Sequence, residues 1–283
     1  MLRLEGRPVS FNSINTNVGA MQALQALASV NAEMAQVQQR ISTGLKISSP
    51  KDNPAIWAIA QNQRGEALAL DAVKESLSRG RSAVDVAITA GETISDLLLR
   101  MKTLALNAND FALGDPSRQA LDDQYQALRK QIDVVVSSAD FNGFNLLSAG
   151  GSDGVRALAN SKGTATIDVE HVDMSTSGAL LSGLPTDLQA GFGDTSVDDI
   201  GAAFKGVNLA LGKLGTGAKA LETHLTFVGK LQDTLEASIG NLVDADLAKE
   251  SARFQALQIR QQLALQALQI ANQQPSLLLR LFQ

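Results

Sequence analysis

Few side chains in this chain of 283 residues could carry out catalysis or hold a metal ion. Two histidines and no cysteine are present, which excludes cysteine nucleophiles, thiolate zinc sites and disulfides. His171 lies in the sequence EHVD, where strand alternation puts only His171 and Asp173 on one face, too few ligands for a metal site. His224 has neither a second histidine nor a cysteine beside it, and the His-Glu-x-x-His motif of zinc peptidases is absent. We therefore expect no enzyme activity, no metal and no cofactor.

Trp57, the single tryptophan, is the residue best suited to stack on a sugar ring. No other aromatic residue stands near it in the sequence, so packing where two segments meet is the favoured alternative. The Gly-Lys pairs at residues 212–213 and 229–230 lack the upstream glycine of a phosphate-binding loop and are predicted to lie in helices.

The composition is that of an ordinary folded chain with few large rings. Apolar residues make up 45% of it, aromatic residues 4%, and the net charge is -5. The acidic balance argues against nucleic acid as a partner. No apolar run is long enough to span a membrane, and residues 1–8 lack the apolar centre of a Sec signal peptide, so we expect no membrane insertion and, for an exported protein, another route. The low aromatic content favours aliphatic packing between long helices.

Two long segments carry a heptad repeat of apolar residues, which predicts helices with a coiled-coil seam. The first has the columns Leu70, Leu77, Val84, Gly91, Leu98, Ala105 and Val73, Gly80, Ala87, Ile94, Met101, Ala108, and the second has Ile200, Val207, Leu214, Leu221, Val228, Leu235, Leu242 and Phe204, Leu211, Ala218, Leu225, Ile239. Gly80 and Gly91 either mark the close approach of a neighbouring backbone or are simply tolerated. A shorter helix from Leu121 to Val135 is expected to fold back antiparallel.

Residues 148–199 lose this helical period and are rich in Gly, Ser, Thr and Asp. Residues 164–172 alternate as a strand does, and residues 155–159 are a possible partner strand. Because acids outnumber bases here, the segment is predicted to be a solvated, outward-facing insert.

Both ends of the chain read as helical arms that are apolar on two sides and nearly uncharged. No acidic residue follows Glu250, and Ile259, Leu263 and Ile270 form a second apolar stripe. One neighbour cannot cover both sides, so we expect these helices to be buried between copies of the chain and poorly ordered alone. The predicted assembly residues are Ile14, Val18, Met21, Leu24, Leu27, Met34, Val37, Leu247, Phe254, Leu257, Leu263 and Leu268.

Several motifs, in order along the chain, resemble bacterial flagellin. They are FNSINTN at residues 11–17, ISTGLKI at 41–47, KDNPA at 51–55, DFNG at 140–143, LVDADLAKESAR at 242–253, QQL at 261–263 and IANQ at 270–273. The short insert and the sequence THLTFVGK at 223–230 are most similar to flagellins of alphaproteobacteria.

This resemblance implies a mainly α fold, in which a long antiparallel helical coiled-coil rod carries terminal helical arms and a small β-rich insert. The predicted boundaries are a possible N-terminal extension at 1–9, the N-terminal arm at 10–45, the first part of the rod at 46–147, the surface insert at 148–199, the C-terminal rod helix at 200–240 and the C-terminal arm at 241–283.

The resemblance also implies the function and the partners. The chain is expected to polymerise with itself into the helical filament of the bacterial flagellum, outside the cell, and to serve swimming motility. Its expected partners are the flagellar type III export apparatus, a cytoplasmic flagellin chaperone, the filament cap and the hook-junction proteins. A hook–filament junction protein, or a flagellin-like surface adhesin that binds polysaccharide, are the alternatives.

Three further expectations follow from this resemblance. Val9 stands where the initiator of the family is expected, so we hypothesise that Val9 is an alternative start and that residues 1–8 are absent from the mature protein. Arg100, Leu104 and Asn107 lie in a segment that resembles the part of enteric flagellins that contacts Toll-like receptor 5. Arg100 and Leu104 match that segment, but Asn107 stands in place of a longer Gln, which puts receptor activation in doubt. The predicted sites for O-linked sugars are Ser175, Thr176, Ser177, Thr195 and Ser196.

Overall fold

The computed structural model describes residues 16–110, 113–149, 154–188 and 194–281, with only the backbone described at 194–195 and 274–281. Within these ranges the chain forms helices α1 (Val18–Thr43), α2 (Pro54–Ala108), α3 (Asp115–Ser138), α4 (Asp194–Val243) and α5 (Leu247–Leu281), and strands β1 (Val155–Leu158) and β2 (Thr166–Val169). The mainly α prediction is confirmed. In the part of the chain so described, no helix is both long and apolar enough to cross a membrane.

The chain divides into two compact units. We call residues 1–64 with 236–283 the arm unit and residues 65–235 the central unit. The arm unit contains α1 and α5, and the central unit contains α3 and the two strands, while α2 and α4 contribute residues to both units.

The heptad columns predicted for α2 and α4 form the core of the central unit, except that Ile239 and Leu242 at the end of α4 pack within the arm unit. Their fully buried members, with 0% exposure, are Leu77, Val84, Ile94, Leu98 and Met101 on α2 and Ile200, Val207, Leu214 and Leu221 on α4. A repeat of about 3.5 residues keeps one face of each helix turned toward its partner, so the seam could be identified from spacing alone.

Within the central unit, α2 and α4 run antiparallel. Lys74 Nζ donates to Gln232 Oε1 at 2.8 Å, and further along α2 the Ser95 hydroxyl lies 3.4 Å from Asn208 Oδ1. Residue numbers therefore rise on α2 as they fall on α4. Helix α3 adds Tyr125, Ile132 and Val136 to the same core.

The two glycines in the α2 seam do mark close approaches, but side chains rather than a backbone fill the space. A Cβ built on Gly80 would lie 3.0 Å from Val155 Cγ1 on β1. A Cβ built on Gly91 would lie 2.7 Å from Leu211 Cδ2 on α4. The backbone approach, one of the two alternatives that the sequence left open, is thus not what is found: a Cβ at either position would crowd neighbouring side chains.

The insert packs onto the helices instead of facing outward as a whole. Met174 and Leu181 are fully buried in the core of the central unit, and Leu184 and Leu188 are 3% exposed. The prediction of a solvated insert is therefore wrong for its apolar residues. Their burial could not be predicted from spacing, because residues outside helices and strands point into the core at irregular intervals.

Two side chains of α3 hold the last part of the insert in place. The hydroxyl of Tyr125 donates to Pro185 O at 2.9 Å, and Asp122, 2% exposed, accepts a hydrogen bond from the Leu188 backbone N–H at 2.7 Å. Burial, with Asp122 nearby, raises the pKa of the Tyr125 phenol well above its usual value. The phenol therefore stays a hydrogen-bond donor at all physiological pH values.

The two strands of the insert pair antiparallel, with Val155 opposite Val169 and Leu158 opposite Thr166. Both strands are shorter than the alternating segments from which they were predicted, residues 155–159 and 164–172. The inward side chains of Val155, Ala157 and Val169 join the core, which fixes the pairing register because a slip by one residue would turn them outward.

Candidate functional site: the terminal arms

The two arms meet at a backbone clip where α1 ends and α5 is about to begin. Gly44 has φ 70° and donates its N–H to Arg40 O, which ends α1 in the left-handed conformation that glycine adopts without strain. Lys46 N donates to Val243 O at 2.7 Å, and Ala245 N donates to Gly44 O at 2.8 Å. The clip therefore holds the last turn of α1 and the first turn of α5 at the same level.

Beyond the clip, α1 and α5 pack together as an antiparallel pair. Polar contacts lie along the whole pair, between Arg40 and Glu250, Glu33 and Arg253, Asn31 and Gln261, and Asn17 and the backbone oxygen of Ala271. Residue numbers fall on α1 as they rise on α5, so one register accounts for all four contacts.

The inner faces of the arms bury a limited apolar seam. Val37 on α1 and Leu257 on α5 are each 2% exposed, while Phe254 and Leu268 are half-buried. Arg40 and Glu250 lie one turn from the clip, where the last turn of α1 meets the first turn of α5. The positive end of the α5 dipole favours the Glu250 carboxylate, and the negative end of the α1 dipole favours the Arg40 guanidinium.

The outer faces keep large apolar side chains in contact with solvent. On α5, Ile259 is 60%, Leu263 57% and Ile270 65% exposed, and on α1 Met21 and Leu24 are about half exposed. An exposed leucine by itself is common, but a row of them on paired helices typically marks an interaction surface. The arm pair can therefore bury further apolar area only against another molecule or another copy of itself.

The predicted assembly residues are divided between these two faces. Val37, Leu257, Phe254 and Leu268 turn toward the partner arm, Met21, Leu24, Leu247 and Leu263 are exposed, Val18, Leu27 and Met34 are half-buried, and Ile14 lies outside the described residues. The prediction that α5 is apolar on two faces agrees with this distribution. Their part in assembly stays a prediction.

Sequence reasoning missed the Arg40–Glu250 pair. The signal was present in the charges, because Arg40 is one of two charged residues in the interior of the first arm and Glu250 is the last acid of the chain. A charge kept within a nearly uncharged, apolar helix usually has a partner. Which residue that partner is could not be read from the sequence, since 210 positions separate the two.

The loop between α1 and α2 is organised by Asp52. Its Oδ2 accepts hydrogen bonds from the backbone N–H groups of Ser49 and Ser48, both at 3.0 Å, and from both serine hydroxyls. The backbone bonds from Ser49 and Ser48 hold the pKa of Asp52 below its ordinary value of 3.8.

Trp57, which follows this loop, packs half-buried beside Ile47 and Val243. This position agrees with packing where two segments meet, and not with an exposed ring that stacks on a sugar.

The histidines bind backbone oxygens. His224 Nε2 lies 2.7 Å from Ala159 O, which links α4 to the insert, and His171 Nε2 lies 3.0 Å from Ser148 O, a contact within the insert. His171 lies beyond the end of β2, so its placement on a strand is wrong, and its side chain is half-buried. Among the described residues, no three His, Cys, Asp or Glu side chains form a group that could hold a metal ion.

The predicted sugar-attachment sites differ in accessibility. Ser175 and Ser196 are buried, and Ser175 donates its hydroxyl to Asp173, so a sugar at either position would have to displace packed atoms. Thr176 is half-buried with its hydroxyl bonded to Asp133, and Ser177 is exposed. The side chain of Thr195 is outside the described set. Modification at all five positions stays a prediction.

The predicted receptor segment lies on α2. Arg100 and Asn107 are exposed and Leu104 is half-buried, so the three side chains form one face of the helix at spacings of four and three residues. Nothing in these positions tests receptor activation, which stays a prediction.

Two protein-family models match this chain, one toward each end. The model described as the bacterial flagellin N-terminal helical region matches residues 14–151, and the bacterial flagellin C-terminal helical region matches residues 197–282. The chain is 50% identical to flagellin FljM of Caulobacter vibrioides over 97% of its length and 100% of that protein. It is 36% identical to a flagellin of Brucella melitensis over 95% of its length and 99% of that protein.

A solved structure shares the fold at low sequence identity. It is a putative flagellar hook-associated protein from Vibrio parahaemolyticus, which aligns with a TM-score of 0.57 and 17% identity over 68% of this chain and 100% of that one. At this identity the likeness concerns the fold alone.

Proposed function

The chain belongs to the bacterial flagellin family and is a structural subunit of the flagellar filament, and we propose that the exposed apolar faces of its two arms carry the polymerisation. The filament lies outside the cell and serves motility. The single observation that supports the proposed site is the row of exposed Ile259, Leu263 and Ile270 on an α5 that is already paired with α1.

The physical reason for a filament is that the outer apolar face of α1 and the outer apolar face of α5 carry different side chains. A face that contacts a different face of the next copy makes a heterologous contact, and such a contact, repeated without closing, generates an open helix. Burial of each large side chain stabilises the assembly by about 1.5–3 kcal/mol before ordering entropy is subtracted. Many weak, identical contacts would therefore hold a long filament together.

We propose a division of the chain into two terminal arms, a rod and an insert. The boundaries proposed are the arms at 10–45 and 241–283, the rod at 46–147 and 200–240, and the insert at 148–199. The possible extension at 1–9 and the Val9 start lie outside the described residues. We expect the arms to be less ordered in an isolated copy than in the filament, because the outer apolar face of α5 stays in water there.

The proposed partners follow from membership of the family. Export would use the flagellar type III apparatus, a cytoplasmic chaperone would cover the C-terminal arm before export, and the cap and hook-junction proteins would bound the filament at its two ends. We propose no catalytic role. These partners are supported by the family alone, and the alternatives of a junction protein or a polysaccharide-binding adhesin are not favoured by the relatives.

Seeded growth tests the proposed function. Purified full-length protein is added to short filament fragments and observed by electron microscopy, and we expect filaments that lengthen with time. Chains lacking residues 1–45 or 241–283 should not add to the seeds. Full-length protein that stays monomeric beside seeds, trimmed protein that grows equally long fibres, or a single ring of added subunits would each contradict the proposal.

A further inference from the structure

Helix α5 carries two apolar stripes of similar size on opposite sides. The inner stripe of Phe254, Leu257 and Leu268 faces α1, and the outer stripe of Ile259, Leu263 and Ile270 faces solvent. At 3.6 residues per turn, a residue nine positions after another lies about 180° around the helix. Apolar burial by itself would therefore stabilise α5 almost equally with either stripe turned to α1.

The backbone clip does not decide between these two orientations. It fixes Gly44 and Ala245 at one level, but Ala245 lies before the first residue of α5, so the clip sets the height of the helix and not its rotation about its own axis. Most of the polar contacts farther along the arms are exposed. The Glu33–Arg253 pair has both side chains more than 40% exposed at 3.6 Å, and pairs of this kind contribute little.

The Arg40–Glu250 pair differs from them in burial. Its side chains are only 21% and 11% exposed, and Arg40 Nη1 lies 3.2 Å from Glu250 Oε1. Glu250 is on the inner side of α5, so it can reach Arg40 only while the inner stripe faces α1. Turning α5 over would separate the charges and leave the part-buried Arg40 without its partner, which is unfavourable.

The pair uses only part of its hydrogen-bonding capacity. Arg40 Nε and Glu250 Oε2 are both buried and have no hydrogen-bond partner among the described residues. A side-on bidentate arginine–carboxylate pair uses Nε and Nη2 together, whereas the hydrogen bond observed here comes from Nη1. The pair therefore makes one charged hydrogen bond, and only the observed orientation of α5 brings the two groups together.

We infer that the Arg40–Glu250 pair selects which apolar stripe of α5 faces α1, and so which stripe is left for the neighbouring copies. The second half of this inference rests on the proposed function. The pair acts as an orientation lock: apolar burial drives the arms together, and the buried charges penalise the flipped arrangement. Arg40 and Glu250 are positioning residues, and the outer stripe is the surface that they position.

Cross-linking in the full-length protein tests the lock, because the chain has no cysteine of its own. One variant carries Asn31→Cys with Gln261→Cys, whose parent side chains are in contact at 2.7 Å. A second carries Asn31→Cys with Leu263→Cys, on the outer stripe. A short bifunctional maleimide joins thiols within one copy, and the yields of monomeric cross-linked product are compared on a denaturing gel.

In the parent background we expect the 31–261 product to exceed the 31–263 product by about tenfold, the factor expected from one charged hydrogen bond. With Arg40→Met and Glu250→Met together, which remove both charges, we expect roughly equal yields, because the two stripes bury similar apolar area. Simple loosening of the arms would lower the 31–261 yield without raising the 31–263 yield. That result, or an unchanged preference for 261, would overturn the inference.

Two further variants separate charge from shape. Arg40→Lys, which keeps the positive charge at the end of α1, should retain the preference for 261, and loss of that preference would refute a role for the ion pair. The matched control, Glu33→Met with Arg253→Met, removes the exposed pair and should leave the preference unchanged. Seeded growth of the parent is scored separately, so a parent that cross-links as expected but never polymerises contradicts the proposed function and leaves the orientation lock standing.

Discussion

Truncation of one outer-stripe residue, Leu263→Ala, isolates the contribution of the exposed arm face to assembly. The change removes three side-chain carbons, whose full burial stabilises by about 2.4 kcal/mol at about 0.8 kcal/mol each. Because Leu263 is 57% exposed in the free subunit, about 1.4 kcal/mol of this would be gained only on polymerisation. Each 1.4 kcal/mol corresponds to about a factor of ten in an equilibrium constant. We therefore expect the critical concentration for filament growth to rise about tenfold.

The assay measures the monomer that remains in solution at equilibrium with seeded filaments, after the polymer is sedimented. Leu263→Met keeps an apolar side chain of similar volume and should leave the critical concentration nearly unchanged. Circular dichroism and urea unfolding of both variants should match the parent, since substitutions at exposed positions change stability by about 0.5 kcal/mol or less. A critical concentration for Leu263→Ala equal to that of Leu263→Met would refute the assignment of this face to subunit contacts.

Leu257 is unsuitable for the same experiment, although the sequence suggested it equally. It is 2% exposed between α1 and α5 of a single copy, so Leu257→Asp would place a carboxylate inside the arm pair. Such a variant would stop polymerisation by disrupting the subunit's own arms. The distinction between inner and outer stripe therefore decides which substitution reports on assembly.

Three predictions concern the folding of the subunit. Gly91→Ala should destabilise the central unit by about 1–3 kcal/mol in urea unfolding, because a leucine of α4 lies 2.7 Å from the new Cβ. Gly65→Ala has open space around the new Cβ and should stabilise by about 0.5–1 kcal/mol. Equal effects of the two substitutions would contradict the packing described. Tyr125→Phe should cost about 1 kcal/mol by leaving Pro185 O without its donor, and an unchanged midpoint in urea would show that this bond contributes nothing. The pKa of Asp52 is lowered on folding, so its carboxylate stabilises the folded state. This contribution to the free energy of unfolding is fully present above pH 3.8, the ordinary pKa, and is lost as the pH falls through the lower pKa of the folded state. The difference in melting temperature between the parent and Asp52→Asn should therefore shrink on acidification, and a difference that grows would reverse the assigned sign.

Much of the helical architecture could be predicted from spacing. The α2 and α4 columns were identified residue by residue, whereas the reason for the glycines within them was left open. The arms were recognised as apolar on two faces. These features are local, because a helix repeats its orientation every few residues and the sequence records that repeat directly.

The insert and the arm orientation could not be predicted in this way. Met174 and Leu181 enter the core from a segment without periodicity, and Tyr125 reaches Pro185 across 60 positions. Likewise, the sequence offered two equivalent stripes on α5 and two separate charges, Arg40 and Glu250, without indicating that they meet.

The sequence by itself determined which residues form helices, which helix faces are apolar, and, through its motifs, the family of the protein. Only the tertiary structure decided which apolar face of each arm is covered within the subunit and which remains exposed. The physical reason is that apolar burial depends on area and is nearly indifferent to which face supplies it, whereas a buried ion pair and backbone hydrogen bonds require one geometry between groups far apart in the chain.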